Sequence, residues 1–365
     1  MKSRRQFLRS TALASSSLAL CPAVLAEEAP SEARYYEKLY NRQVRCKLCP
    51  RECQVDDLER GYCGVRENRG GTYYTLVYGN PCTAHIDPIE KKPLFHFLPG
   101  SAAFSIATVG CNVLCKFCQN WEISQARPDQ VRSLDMPPGR VAELAAGNDC
   151  RSIAYTYTEP VVFTEYMYDT ATAARERGVK SVMISNGYIQ AAPMKDLCHV
   201  LDAVKIDLKA FTERFYRELV SGELRPVLDT LVLLRDQNMW TEVVYLVIPE
   251  QNDDAGELAQ MCQWIAAELG PETPLHFSRF HPQYRLTNLP STPIATLRRA
   301  RQIAMDSGLE YVYIGNVPGD PGENTHCPGC GKTIIRRIGF RVVEINLDGA
   351  ACSHCGTEIK GVWHE

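Results

Sequence analysis

The 365-residue sequence lacks any apolar run of the roughly 20 residues that a membrane-spanning helix needs. It also has no internal repeat, no low-complexity tract and no large surplus of charge of either sign. These absences exclude a polytopic membrane protein, a fibrous repeat and a disordered chain. The formal charge is −3. The first 26 residues hold Lys2, Arg4, Arg5 and Arg9 and no acid, so the remainder carries 36 basic residues against 43 acidic, which disfavours a nucleic-acid partner. What remains is 45% hydrophobic and 23% charged, an ordinary globular composition with length for about two to three domains. One residue is abundant: there are 16 cysteines.

The stretch Ser3-Arg4-Arg5-Gln6-Phe7-Leu8 has a twin-arginine export pattern, followed by a weakly apolar run over 11–25 and a small-residue exit at Val24-x-Ala26. Cys21 follows Leu20, a poor residue at the position where lipoprotein signals usually carry Gly or Ala. Residues 1–26 are therefore expected to be a signal outside the fold, leaving a mature chain with no integral membrane segment. The twin-arginine route carries proteins already folded, which suits a passenger that acquires its metal in the cytosol.

Cys82, Cys150, Cys198 and Cys262 stand alone in apolar or mixed contexts and read as structural. Eleven others fall into three sets: Cys46, Cys49, Cys53 and Cys63; Cys111, Cys115 and Cys118; Cys327, Cys330, Cys352 and Cys355. Cysteines two or three residues apart in tight loops are poorly placed for unstrained disulfides but converge readily on one ion or cluster. The last set has the two-knuckle spacing of a zinc ribbon, a closed site of four thiolates, with an iron-sulfur cluster as the other occupant of such a set. In the first set the spacing does not choose between zinc and iron-sulfur.

The central set differs because it has three members where a four-iron cubane takes four ligands, so one iron is left open. It follows the β-rich run 101–109 and therefore lies at a strand's carboxyl end, where parallel α/β enzymes place their chemistry. Strand-like runs at 101–109, 151–157, 180–185, 201–208, 241–248, 274–280 and 310–314 alternate with helix-compatible stretches such as 162–177, 212–219 and 255–269. That alternation predicts βα units round a parallel sheet, and six or seven units fall short of a closed eight-unit TIM barrel. The Pro- and Gly-rich stretch 317–323 marks a boundary before the tail.

The spacing C-x3-C-x2-C, with Phe117 directly before the last cysteine, resembles the signature of radical S-adenosylmethionine (SAM) enzymes. The resemblance extends through 111–124, Tyr155-Thr-Tyr-Thr-Glu-Pro160, Ser185-Asn-Gly-Tyr-Ile189, Asp207-Leu-Lys209, His276-Phe-Ser-Arg-Phe-His-Pro282, the upstream segment 87–97 and the downstream segment 311–316. Over about residues 44–365 the chain resembles the radical SAM member of the AmmeMemoRadiSam system and, more weakly, the activating enzymes of glycyl-radical enzymes such as pyruvate formate-lyase. Its fold is expected to be α/β, a partial (β/α)6-type TIM barrel. The implied organisation is a signal over 1–26, a Cys-rich segment over 27–98, the partial barrel over 99–320 and a zinc-ribbon-like tail over 321–365.

The resemblance implies a [4Fe-4S] cluster on Cys111, Cys115 and Cys118, with SAM chelating the open iron and a reduced cluster splitting it to methionine and a 5'-deoxyadenosyl radical. That radical would abstract a hydrogen atom from a protein residue or a small molecule. Phe117, Thr158, Glu159, Ser185, Asn186, Lys205, Asp207 and Ile248 are implied SAM contacts. Glu159 suits a cationic amine, although an acid before Pro160 also fits a helix start. Lys205, Asp207 and Lys209 alternate on one strand face, which in a barrel is the lumen. Lys209 and His281 are candidate catalytic groups, and His276 shares the second of these segments. Implied cofactors are the cluster, SAM, zinc and a possible additional iron-sulfur cluster. Implied partners are a reductant such as flavodoxin or ferredoxin and the two other proteins of the system. The export pattern suggests the periplasm, whereas SAM and low-potential electrons are cytosolic supplies. An exported, non-catalytic metal or electron carrier is the competing reading; it would close its cluster with a fourth cysteine, and none lies near Cys118.

Overall fold

The computed structural model describes residues 31–363, so the twin-arginine pattern and Cys21 lie outside the described residues. Eight strands form one sheet: β1 (Thr83–Pro88), β2 (Ala102–Ala107), β3 (Ser152–Tyr155), β4 (Lys180–Ser185), β5 (Ala203–Asp207), β6 (Trp240–Val247), β7 (Leu275–Arg279) and β8 (Val312–Gly315). They lie side by side in chain order. β2 to β8 run parallel, and β1 pairs antiparallel with β2. Six helices make the crossovers: α1 (Pro138–Gly147), α2 (Thr164–Arg175), α3 (Ala191–Cys198), α4 (Leu224–Asp236), α5 (Ala255–Glu268) and α6 (Ile294–Asp306).

The local chemistry of these elements is plain. Asp254 caps α5 by accepting the Glu257 amide at 3.0 Å, and its buried residues Leu258, Met261, Cys262 and Ile265 fall on one face at helical spacing. β3 is Ser-Ile-Ala-Tyr with every residue buried, as a parallel strand covered on both faces requires. Parallel neighbours joined in order by right-handed crossovers put every helix on one side of the sheet. Side chains divide accordingly. Phe104, Ile106, Ile153, Tyr155, Met183, Val204 and Ile206 join the helix-side core, whereas Ala103, Ala154, Val182, Ile184 and Ala203 face the other way and pack on Ile89, Leu94, Phe97 and Leu98.

The sheet does not close, since among the described residues β1 and β8 are its two edges and do not pair with each other. It is nevertheless strongly curved. β2 and β7 are five strands apart, about 24 Å in a flat sheet. Yet the loops that follow them touch: Arg285 N donates to Lys116 O at 2.9 Å, Gln283 Nε2 to Gln119 O at 3.2 Å, and Tyr284 stacks on Trp121. The concave face thus becomes a lumen, and the segment 89–98 plugs its amino-terminal end.

That plug is fastened by buried polar groups. Both Phe95 N and His96 N donate to the Glu242 carboxylate of β6, at 2.9 and 2.8 Å, and Glu242 also pairs with His276 Nε2 of β7 at 2.7 Å. His96 spans from Tyr313 Oη at 2.5 Å to Lys360 O at 2.7 Å. The tail joins here as well. Its strand Thr333–Ile338 sends in Arg337, only 2% exposed, which donates to Phe95 O at 2.8 Å and lies over the Phe95 ring. Strand Thr83–Pro88 and the plug lie within the stretch assigned to the Cys-rich segment from sequence, because a mixed polar run ending in Pro carries no clear strand period.

Burial lowers the His96 pKa to about 4, so the ring is neutral in the folded protein. A group lowered from about 6.5 contributes stability that is present above the unfolded value and lost as pH falls through the folded one. Between pH 7 and pH 4 the wild-type chain is expected to lose on the order of 3 kcal/mol more stability than His96→Gln, read by urea denaturation. Parallel stability curves for the two proteins would remove His96 from this role.

Candidate active site at the strand ends

The loop after β2 presents Cys111, Cys115 and Cys118 at the carboxyl edge of the sheet. It starts at Gly110, whose φ of +97° and close surroundings require glycine: a Cβ there would stand 2.6 Å from Val65 and 2.9 Å from Cys63 O. Three neighbours hold the loop. Leu114 N and Lys116 N each donate at 2.9 Å to Val220 O and Leu219 O in the turn beyond β5. Arg51 of the first cysteine set donates to Asn112 O at 2.5 Å and to Ser221 O. Loop 283–285 closes over the third side. Phe117 is buried against Phe215 with ring centroids 5.8 Å apart.

Burial pushes the Cys111 thiol well up and that of Cys115 up to about 12. Such thiols stay protonated unless a metal displaces the proton, and three soft sulfur donors on one loop are the ligand chemistry of an iron-sulfur cluster. The donor set therefore fits a [4Fe-4S] cluster with one iron lacking a protein thiolate, as no further cysteine occurs before Cys150.

Next to this loop lies Glu159, 3% exposed. Its Oε1 accepts Ser185 Oγ at 2.7 Å and Val161 N at 3.1 Å, and its Oε2 accepts Asn186 N at 2.8 Å. A carboxylate offers about four acceptor positions, so one remains on Oε2 for a further donor. Burial raises the Glu159 pKa to about 7 against the pull of these donors. The carboxylate ties the end of β3 to that of β4. Thr158 extends the tie to β2 by donating its hydroxyl to Thr108 O at 2.8 Å.

Two strands along, Lys205, Asp207 and Lys209 share a face as their alternation predicts. Asp207 is ion-paired with both lysines, with Lys209 Nζ at 3.4 Å from Oδ2. Burial lowers Lys205, whereas for Asp207 the two lysines outweigh burial and hold the carboxyl below its ordinary value. Ile248, fully buried, sits just past β6 and donates its amide to Asn252 Oδ1 at 2.7 Å. His281 is exposed on the loop after β7, with Nδ1 3.1 Å from Ser291 Oγ. His276 is elsewhere, on the floor with Glu242.

Two groups of residues lie within segments the resemblance covers but carry no role in the sequence reading. Asn112 stands beside Cys111, donates to Tyr188 O at 2.7 Å and accepts from Asn186 Nδ2 at 2.9 Å, locking the cluster loop to the Ser185-Asn186 turn. Asp87 pairs with Lys92 at 2.6 Å and accepts from Tyr157 Oη, while Tyr157 holds a left-handed φ of +64°. A lone asparagine inside a cysteine motif carries no periodic signal. The repeated charges of Asp87-Pro-Ile-Glu-Lys-Lys92 amid an apolar stretch are the one hint of the second group.

In the tail, the four sulfurs of Cys327, Cys330, Cys352 and Cys355 lie within 4.8 Å of one another, with Cys327 to Cys355 at 3.5 Å and Cys330 to Cys352 at 3.9 Å. A tetrahedron with metal-sulfur bonds of about 2.3 Å has edges of about 3.8 Å, so this quartet has single-ion spacing.

A profile of the Radical SAM superfamily matches residues 105–262. The uncharacterized protein MJ0808 of Methanocaldococcus jannaschii is 49% identical over 330 residues, which are 90% of this chain and 98% of that protein. The pyruvate formate-lyase 1-activating enzyme of Escherichia coli K12 is 23% identical over 152 residues, 40% of this chain and 61% of that enzyme. Among solved structures, a radical SAM methyltransferase from Sphaerobacter thermophilus aligns with a TM-score of 0.48 at 15% identity, covering 62% of this chain and 71% of the other. The chain belongs to the radical SAM superfamily, whose domain implies a [4Fe-4S] cluster and SAM.

The quartet has the spacing to hold one metal ion, and zinc is an ion that four thiolates accept. The variant Cys352→Ser is expected to lose one zinc per chain by elemental analysis while its iron content stays unchanged. Unchanged zinc would show that the quartet is not its site.

Proposed function

We propose that this chain is a radical SAM enzyme that cleaves SAM reductively and uses the 5'-deoxyadenosyl radical for activase-like hydrogen-atom abstraction, within the AmmeMemoRadiSam system. The single observation that carries the reading is the juxtaposition of a three-thiolate loop with the buried Glu159 carboxylate at the carboxyl edge of a curved, mostly parallel sheet. The curvature supports a partial barrel of the (β/α)6 type, and the proposed division at 98 and 320 separates it from a Cys-rich segment and a zinc-ribbon-like tail. Residues 1–26 are proposed to be an export signal.

A [4Fe-4S] cluster held by Cys111, Cys115 and Cys118, with SAM on its open iron, would supply the one-electron reduction that cleaves the C5'–S bond to methionine and a 5'-deoxyadenosyl radical. The protein's own groups bind and orient. Cys111, Cys115 and Cys118 hold three irons. Glu159 presents its free acceptor position to the cationic amino group of SAM, and the Ser185-Asn186 turn keeps that carboxylate in place. Asp207, set between two lysines, remains ionised beside them; Lys209 offers a positive charge to the SAM carboxylate, and Lys205 supports it. Thr158, Phe117 and Ile248 shape the walls, with Ile248 placed for the adenine. His281, at the mouth, is a candidate proton-transfer group for substrate. A low-potential one-electron donor such as flavodoxin or ferredoxin is the proposed reductant.

With cluster restored under argon, dithionite and SAM are expected to give 5'-deoxyadenosine, and none from the variant lacking Cys111, Cys115 and Cys118. Glu159→Gln is expected to keep its iron and bind SAM about 10- to 100-fold more weakly, the loss of one charge-assisted hydrogen bond. Full SAM affinity in Glu159→Gln would contradict the assignment, as would the absence of nucleoside from fully loaded wild-type protein.

A further inference from the structure

The first cysteine set stands out because it is built against the active-site loop. Cys46 closes the short strand Val44–Cys46, which pairs with Gln54–Val55 on one side and Tyr36–Lys38 on the other, so the knuckle carrying Cys49 and Cys53 is a hairpin with its turn facing the main sheet. Two contacts fix where it faces. Arg51, between Cys49 and Cys53, reaches Asn112 O, one residue beyond Cys111. The carbonyl of Cys63 abuts Gly110, one residue before it. The backbones of the two cysteine sets thus abut at Cys63 and Gly110. Gln190 N also donates to Leu48 O at 3.0 Å, binding the same knuckle to the stretch that follows Ser185-Asn186.

The spacing of the sulfurs distinguishes the occupant. Among the described residues, the tail quartet is the group whose cysteine sulfurs all approach within 4.8 Å, the spacing of ligands on one ion. The central cysteines, which the family assigns to a cubane, do not form such a group, and a cubane, being wider than one ion, would need ligands set further apart. Cys46, Cys49, Cys53 and Cys63 behave like the central set. Each lies within electrostatic reach of others in the set, and no three of them share single-ion spacing. Cys46 and Cys49 are buried, and the fully buried Arg66, paired with Glu165 at 2.5 Å, lies within electrostatic reach of Cys46 and Cys63.

We propose that Cys46, Cys49, Cys53 and Cys63 bind a second [4Fe-4S] cluster, closed by four thiolates, which relays single electrons to the open cluster. A low-potential one-electron protein donor reduces this cluster from the 2+ to the 1+ state. The electron then crosses the Cys63–Gly110 contact to the open cluster, returning the relay to 2+. Each electron delivered splits one SAM and releases one methionine. The relay step rests on the SAM-cleaving role proposed above; the metal assignment does not.

The full chain, reconstituted anaerobically with iron and sulfide, is expected to hold about eight irons and one zinc. The variant with Cys111, Cys115 and Cys118 all changed to Ala is expected to keep about four irons and, with dithionite, to give an electron paramagnetic resonance signal that SAM does not alter. Zinc in place of iron in that variant overturns the proposal. Should the variant fail to fold, wild-type protein decides the same point, since about four irons with two zincs would overturn it. Loss of no iron in the variant would instead sink the central-cluster reading, so the two failures are distinct. The relay is read in wild-type protein reduced by two electrons per chain and mixed with SAM: both signals are expected to decay, with two methionines formed per chain. A SAM-insensitive signal that persists after one methionine has formed overturns the relay.

Discussion

The Glu159 carboxylate is the constraint from which the rest of the site follows. Three donors from its own turn and the next strand hold it, and Asn186, one of the residues that binds it, continues through Asn112 into the cluster loop. A buried carboxylate of this kind is costly unless its acceptor positions are filled, and here three are filled by protein. One acceptor position on Oε2 is left unfilled by protein. The arrangement therefore combines a structural tie between β3 and β4 with a charge poised for recognition.

Curvature of the sheet follows from the same economy. Small residues on the concave side, Ala103, Ala154 and Ala203, leave room for the plug 89–98, and the plug brings its own backbone donors to Glu242. Arg337 then links the plug to the tail, so the module carrying the cysteine quartet is joined to the floor of the lumen. Chemistry sits at one end of the strands and cohesion at the other. The first cysteine set is the exception, since it is built onto the chemical end through Arg51 and Cys63.

Much of this was legible in sequence. The seven parallel strands were readable because most are short apolar runs alternating with helix-compatible stretches, and the three cysteine sets because metal ligands need fixed short spacings. The alternation of Lys205, Asp207 and Lys209 gave a shared face, which the structure places in the lumen around one carboxylate. What escaped notice depends on partners distant in the chain. Thr83–Pro88 is a strand only because β2 offers an edge. His276 resembles a functional histidine in sequence and becomes a floor residue because Glu242, 34 positions earlier, lies 2.7 Å away. Asn112 and Arg51 act through backbone carbonyls, which no side-chain pattern reports.

The central claim is that one iron on the Cys111–Cys118 loop takes SAM as its ligand. Electron-nuclear double resonance of the reduced protein with SAM carrying 15N in its amino group and 17O in its carboxylate reads that contact directly. The account predicts hyperfine coupling of both labels to the cluster. A cluster signal without coupling to either label would contradict it.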